Sequence, residues 1–131
     1  CFTPDIIGGV HMEKNVRMAL LFDFFGELLT QKQRGYFQMY YDENLSLSEI
    51  AENEGITRQA VRDIIMRTEN ILEETEARTG IVKRFTEIQA DISVIEGYLD
   101  EIAKLNKSRF KNGALLDLCN RISERLQFLK Y

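Results

Sequence analysis

Apolar residues recur at intervals of three and four along most of the chain, which is the spacing of one face of an α-helix. The pattern predicts a first helix at about residues 13–29 and a second at about residues 31–42, which Thr30 caps. Aromatic side chains are frequent in the second helix, and core packing is favoured for them over stacking on bases. In the first helix, five residues are expected to face the core: Leu21, Phe22, Phe25, Leu28 and Leu29.

Residues that start and stop helices divide the middle of the chain. Ser46 and Glu49 fit a capping box, which starts a third helix that ends at Gly55. Thr57 is expected to cap a fourth helix. No breaker interrupts this helix before Gly80, which suits a left-handed C-terminal position, so a length of more than 20 residues is expected.

After Gly80 the apolar residues follow a heptad pattern, with alternating spacings of four and three. Residues 106–112 are predicted to form a polar turn, and a last helix starts at Asn112-Gly113. The simplest arrangement is an antiparallel helical hairpin, and the alternative is a homodimer in which the seam closes between two chains. The seam consists of Ile81, Phe85, Ile88, Ile92, Ile95, Leu99 and Ile102, and the last helix has a stripe of Leu115, Leu118, Ile122, Leu126 and Leu129.

The segment from Leu47 to Met66 has the pattern of a helix-turn-helix. A small residue is needed where the two helices cross, and Ala51 is there; a glycine suits the turn four residues later, and Gly55 is there. Apolar residues that pin the helices to the body are Ile50, Ile56, Val61 and Ile64. The alternative is a generic helical hairpin whose small residues coincide by chance.

In a helix-turn-helix, the N-terminal end of the second helix lies in the DNA major groove. Arginine can bind guanine and glutamine can bind adenine with two hydrogen bonds each, so Arg58, Gln59 and Arg62 are the candidates for reading bases. The alternative is that these side chains form a solvated helix face. The residues that point away from the pinned face are Thr57, Arg58, Gln59, Arg62, Asp63 and Met66. The candidates for phosphate contacts are Lys32, Arg34 and Arg67, together with the helix starts at Ser46 and Thr57.

The charge distribution limits how the chain can bind nucleic acid. A formal net charge of −4 has the wrong sign for binding through the whole surface. Residues 69–106 carry nine acidic and four basic side chains, whereas residues 107–131 carry two acidic and six basic ones. Binding to nucleic acid must therefore use a local basic patch.

Residues 1–11 have no period and end in His11-Met12, a junction typical of an expression-vector leader, so Met12 is interpreted as the natural start. The remaining chain has no histidine and a single cysteine, Cys119, which is expected to be buried. We therefore expect no disulfide, no zinc site and no other cofactor.

Carboxylate pairs such as Glu73-Glu74 are interpreted as solvated helix faces, so no enzymatic activity is expected. No run of apolar residues is long enough to insert into a membrane.

Two resemblances add to this interpretation. At the level of fold, the segments YDENLSLSEIA and TRQAVRDIIMR are similar to those of the C-terminal promoter-reading domain of bacterial sigma factors. More closely, the chain resembles the YlxM family of small bacterial proteins over about residues 12–80, on the motifs LFDFFGELLTQKQ, SLSEIAENEGITRQAV and RTE. The family positions matched here are Lys32 and Gln33 in the second helix, and Arg58, Gln59, Ala60 and Val61 in the fourth. Arg62 departs from the family, which often has an aromatic residue there.

The YlxM resemblance implies a cytoplasmic protein that takes part in the signal recognition particle pathway, with a regulatory or RNA-binding role. The sequence as a whole predicts a leader at 1–11, a sigma-like helix-turn-helix domain at 12–80 and a helical hairpin at 81–131. The expected function is non-enzymatic binding of DNA or structured RNA by a regulator or accessory protein. The alternative is a protein-interaction or RNA-binding module that uses the C-terminal helices, with RNA phosphates bound by Lys107, Arg109, Lys111, Arg121 and Arg125.

Overall fold

The computed structural model describes residues 6–7, 10–11 and 13–130. These residues form helices almost throughout, which confirms the all-α prediction. The α-helices in this part of the chain are α1 (Lys14–Phe25), α2 (Gln31–Tyr41), α3 (Leu47–Glu54), α4 (Arg58–Thr79), α5 (Ile81–Leu105) and α6 (Gly113–Leu129). A 3₁₀-helix, Gly26–Leu28, follows α1, and a π-helix, Asn106–Phe110, follows α5.

The segment interpreted as a leader contains a pair of short strands. β1 (Ile6–Ile7) pairs with β2 (Val10–His11) in an antiparallel arrangement, with Ile6 opposite His11. Helical periodicity did not predict this pairing. The other residues of the predicted leader, 1–5 and 8–9, and the predicted start at Met12 lie outside the described residues.

The chain divides into two compact units, residues 1–83 and residues 84–131. The first unit holds α1 to α4, and the second holds most of α5 and all of α6. The domain boundary predicted at residues 80 and 81 lies close to this division and remains a prediction.

The predicted caps account for the helix ends in the first unit. Thr30 with Gln33 and Ser46 with Glu49 form reciprocal capping boxes at the starts of α2 and α3. The Thr57 hydroxyl accepts a hydrogen bond from the backbone N–H of Ala60 at the start of α4. Gly55 and Gly80 end α3 and α4 in the left-handed conformation, with φ of 67° and 63°, which costs glycine little. The caps at Thr30, Ser46 and Thr57 and the helix ends at Gly55 and Gly80 confirm the sequence predictions, and the role of Gln33 in the first box was not predicted.

The first helix ends earlier than predicted. Regular α-helix stops at Phe25, and the 3₁₀ turn that follows has only about three residues per turn. This tighter winding rotates Leu28 off the apolar stripe, and its side chain is 65% exposed, whereas Leu29 is buried. The prediction that Leu28 faces the core is therefore wrong, since the α-helical period does not continue through Gly26.

The core of the first unit has two parts, and α4 contributes to both. Its first half packs against α2 and α3, and its second half packs against α1 and the start of α5. The aromatic residues of α2 belong to this core, as expected: Phe37 stacks on Phe22 with ring centroids 4.6 Å apart. One part contains Met18, Leu21, Phe25, Leu29, Phe37, Leu72 and Val82, and the other contains Tyr36, Ile50, Ala51, Val61 and Ile65.

The second unit is an antiparallel hairpin of α5 and α6. The side-chain amide of Gln89 donates a hydrogen bond to the carbonyl of Leu129, and Glu96 forms an ion pair with Lys130 at 2.8 Å. The core of the hairpin is small and consists of Ile92, Leu99, Cys119 and Leu126. The predicted burial of Cys119 is confirmed.

Only part of the predicted heptad seam is buried. Ile92 and Leu99 are inside, whereas four other members are exposed: Ile81, Ile88, Ile95 and Ile102. Of the predicted stripe on α6, only Leu126 is buried, and Leu115, Leu118, Ile122 and Leu129 are exposed. The hairpin therefore covers only part of the predicted seam and stripe, because two helices cover only one line of side chains on each other. Whether the rest of the seam closes between two chains stays a prediction.

The segment predicted to be a polar turn is largely helical. The π-helix continues α5, and Lys111 then adopts a left-handed conformation with φ of 50°. The buried side chain of Asn106 holds this connection: its amide donates to the carbonyl of Asn112, and its carbonyl oxygen accepts from the Asn112 N–H. Asn112 caps α6, as predicted.

Candidate nucleic-acid interface

α3, the turn at Gly55 and α4 form the predicted helix-turn-helix. The backbone N–H of Ile56 donates to the carbonyl of Ala51 at 3.1 Å, which closes the turn. Ile50, Ala51 and Val61 are buried as predicted, and Ile56 and Ile64 are half-buried. Ile65 is also buried and was missed, although it lies four residues after Val61 on the same helix face.

The N-terminal half of α4 presents its polar side chains to solvent. Arg58, Gln59 and Arg62 are all exposed, together with Thr57, Asp63 and Met66, which agrees with the face derived from the sequence. Arg58 and Arg62 are four residues apart and therefore lie on the same side of the helix. Neither side chain is buried, so both can reach into a groove of a nucleic acid.

Three cations of α1 and α2 are paired with carboxylates, whereas three cations of α4 are not paired within the described residues. Lys14, Arg17 and Arg34 form ion pairs with Glu69, Glu73 and Glu27, at 3.2, 2.6 and 3.7 Å. Within residues 13–130, by contrast, Arg58, Arg62 and Arg67 have no acidic group within 4.0 Å. The positive charges of α4 are therefore available to an anionic ligand.

Gln59 is less available than the arginines. Its side-chain amide donates a hydrogen bond to the Asp63 carboxylate at 3.0 Å. A bidentate contact with adenine would require this bond to break, since the amide N–H₂ is one of the two groups involved. Asp63 also places a negative charge on the exposed face of α4, which opposes contact with phosphate.

The predicted phosphate contacts outside α4 are placed as follows. Lys32 is exposed, whereas the Gln33 side chain is occupied by the capping box at Thr30. Arg34 is half-exposed, paired with Glu27, and lines a cavity with Gln31, Gly35 and Gln38 that includes no residue of α4. The Ser46 and Thr57 hydroxyls are exposed and accept from backbone N–H groups in the first turns of α3 and α4. The structure thus brings Arg58, Gln59 and Arg62 together at the start of α4, whereas Lys32 and Arg34 lie on α2 and point to different sides of that helix.

A set of buried polar contacts behind the interface was missed. Arg17 donates two hydrogen bonds to Glu73, from Nε to Oε1 at 2.7 Å and from Nη2 to Oε2 at 2.6 Å. The interpretation of Glu73 as part of a solvated face is wrong, because this carboxylate joins α4 to α1. Arg17 is four residues before Leu21 on the apolar stripe of α1, and that position was the available signal.

Two further carboxylates on α4 hold neighbouring elements. Glu69 accepts a hydrogen bond from the Tyr41 hydroxyl, and it also pairs with Lys14. Burial and this hydrogen bond raise the pKa of Tyr41 well above its ordinary value of 10.0. The buried Glu76 accepts from the backbone N–H groups of Val82 and Lys83, both at 2.8 Å, and so caps the start of α5. One face of the second half of α4 is therefore fixed to three neighbouring elements, α1, α2 and the start of α5.

Within residues 13–130, no helix is long and apolar enough to span a bilayer. A family model described as helix-turn-helix protein, YlxM / p13 like, matches residues 12–109. A UPF0122 protein of Bacillus mycoides strain KBAB4 is 46% identical over 96 residues, which is 73% of this chain and 87% of the relative. UPF0122 proteins of Bacillus cereus strain AH187 and Bacillus anthracis strain A0248 are each 45% identical over the same shares. The helix-turn-helix geometry and these matches agree, and the chain belongs to the YlxM / p13-like family of helix-turn-helix proteins.

Proposed function

We propose that this protein binds nucleic acid without catalysis, through the N-terminal half of α4 placed in the major groove of duplex DNA. The observation that carries the proposal is that Arg58 and Arg62 share one exposed side of α4 and have no acidic partner within residues 13–130. Arginines on this part of a helix-turn-helix can contact guanine edges in the groove.

The groups around α4 support orientation on the duplex. Arg67 lies more than one helical turn after Arg62 on α4 and can contact a phosphate. Lys32 at the start of α2 can do the same. Thr57 and Ser46 mark helix N-termini, whose partial positive charge favours phosphate. Exposed Glu52 and Glu54 on α3 work against these contacts and should keep the affinity modest. The affinity should fall as salt is raised, because the cations that contact phosphate release counterions on binding.

The test is fluorescence anisotropy with a labelled pool of duplex DNA at low salt. Replacement of Arg58 and Arg62 by alanine should weaken binding by at least tenfold, since each specific contact contributes about 1–3 kcal/mol. The matched control is Arg78→Ala with Lys83→Ala, which removes the same charge from exposed side chains beyond the reading half of α4. Equal losses of DNA affinity in both variants would show that only the net charge matters. Unchanged affinity in the Arg58 and Arg62 variant would show that α4 is not part of the interface.

We further propose that binding serves a regulatory or accessory role in the cytoplasm, within the signal recognition particle pathway, as the YlxM resemblance implies. A second candidate ligand is structured RNA, favoured by Lys107, Arg109 and Lys111 at the connection between α5 and α6, which are exposed and form no ion pair within residues 13–130. The major groove of A-form RNA is too narrow to admit α4, so RNA contacts would be made to phosphates.

DNA and RNA are distinguished by comparing duplex DNA with the particle's RNA under the same low-salt conditions. If RNA is the ligand, alanine at Lys107, Arg109 and Lys111 should weaken RNA binding more than alanine at Arg58 and Arg62. If DNA is the ligand, the order reverses. Failure to bind either nucleic acid at low salt would refute both proposals and favour a protein-interaction module.

A further inference from the structure

In the hairpin of α5 and α6, buried apolar residues and exposed apolar residues form two separate lines, and each line repeats every seven residues. On α5, Ile92 and Leu99 are 4% and 7% exposed, whereas Ile88, Ile95 and Ile102 are 40–43% exposed. The same alternation occurs on α6, where Cys119 and Leu126 are both 7% exposed. The exposed line on α6 consists of Leu115, Ile122 and Leu129.

The two exposed lines lie on the same side of the hairpin. Successive residues turn by about 100° around a helix, so Glu96 lies roughly 40° to one side of Ile92 and Ile95 lies roughly 60° to the other. On α6, Lys130 and Leu129 lie at the same two angles from Leu126. Because Glu96 and Lys130 form an ion pair, their sides of the two helices meet on one face of the hairpin. The lines of Ile95 and Leu129 therefore lie together on the opposite face, which we name the apolar face (Ile88, Ile95, Ile102, Leu115, Ile122 and Leu129).

The hairpin core is thin for a unit of this size. Within residues 84–130, the cluster of buried apolar residues has four members. Small units with so little core usually gain stability from a disulfide, a metal or oligomerisation. An apolar face with heptad spacing on two antiparallel helices has the pattern of half a four-helix bundle.

We propose that the apolar face binds the same face of a second copy of this chain, which forms a four-helix bundle with twofold symmetry. A twofold axis parallel to the helices places α5 of one copy against α6 of the other, and neighbouring helices remain antiparallel. This arrangement buries the exposed lines of both α5 and α6. The heptad seam of α5 is then covered partly by α6 of the same chain and partly by the partner copy.

Charge complementarity identifies the second copy as the occupant. Asp91 precedes Ile92 by one residue, and Arg125 precedes Leu126 by one, so the two occupy equivalent positions at the outer edges of the apolar face. Both are exposed, and neither has an ion pair within residues 13–130. In the symmetric bundle, Asp91 of α5 lies near Arg125 of the partner's α6, and the twofold axis repeats this contact.

The test is sedimentation equilibrium of the full chain between about 1 and 200 µM. The expected species is a dimer of twice 15.3 kDa. Ile95→Glu should raise the dissociation constant at least tenfold, because the twofold axis introduces two carboxylates into the apolar face. The matched control is Ser93→Glu, which adds the same charge at an exposed position of α5 outside this face. A monomeric wild-type chain at 200 µM, or association unchanged by Ile95→Glu, would overturn the proposal.

A charge exchange tests the orientation without altering the apolar face. Arg125→Glu should weaken the dimer, because both edges then carry acidic groups, and Asp91→Arg added to it should restore the affinity. Circular dichroism checks that each variant keeps its helices. Association that stays as weak in the exchanged variant as in Arg125→Glu would refute the pairing of α5 with the partner's α6.

Discussion

Replacement of Glu73 by leucine removes the acceptor of a buried arginine. The Arg17 side chain is 3% exposed and the Glu73 side chain is 15% exposed, and two short hydrogen bonds join them. The substitution leaves the guanidinium in the core of the first unit with its main charge partner removed. Breaking a buried ion pair in this way typically costs about 3–5 kcal/mol.

The reverse substitution should cost less. Arg17→Met leaves a carboxylate that is more exposed than the arginine was and can turn toward water, so a loss of about 2 kcal/mol is expected, close to that of a charged hydrogen bond. The double variant, Arg17→Met combined with Glu73→Leu, should be nearly as stable as the wild type, within about 1 kcal/mol. That result would show that the ion pair constrains how α1 meets α4 more than it adds net stability.

Urea unfolding followed by far-UV circular dichroism measures these differences. With a slope of roughly 1–3 kcal/mol per molar urea, Glu73→Leu should lower the midpoint by more than about 1 M. Glu74→Leu, at the neighbouring exposed position, is the matched control and should change little. A loss below about 1 kcal/mol for Glu73→Leu, or a double variant as unstable as the single one, would refute the reasoning.

Three other expectations concern the first unit. The pKa of Tyr41 is raised in the folded state, so its contribution to the free energy of unfolding is complete below pH 10 and is lost as pH rises above 10. Urea titrations at pH 9 and pH 11 measure this loss of stability, which should be smaller for Tyr41→Phe than for the wild type. Glu76→Gln replaces one of the two carboxylate oxygens that accept backbone N–H groups of α5, and thermal unfolding should show a loss of about 1–3 kcal/mol. Gly55→Ala meets open space but must keep a φ of 67°, so a loss of about 1 kcal/mol is expected, and an unchanged melting temperature would contradict it.

The boundaries of α3 and the start and end of α4 were predictable because their causes are local. The Ser46–Glu49 box, the Thr57 cap and the left-handed Gly55 each depend on side-chain chemistry within three residues of the helix end. The helix-turn-helix followed from the same local rules, since Ala51 and Gly55 stand at fixed offsets from the caps. The exposed face of α4 was predictable for the same reason.

Contacts between distant segments were not predictable in the same way. Arg17 and Glu73 are 56 residues apart, and nothing near Glu73 distinguishes it from the exposed Glu74 that follows it. The heptad pattern predicted that the apolar residues of α5 form a seam, but not which of them are buried. Burial depends on how many helices surround the seam. The Gln59–Asp63 hydrogen bond was predictable from its spacing of four residues and was overlooked.

The way α4 is built also determines the thermodynamic signature of the proposed complex. Its second half is fixed by Arg17, Tyr41 and the cap at the start of α5, so the first half is already helical before a ligand arrives. Binding then requires no coupled folding, and the conformational entropy of ordering a recognition segment is not lost on association. Calorimetry of the DNA complex should accordingly give a heat-capacity change that reflects the contact surface alone, without the large negative contribution of a folding transition.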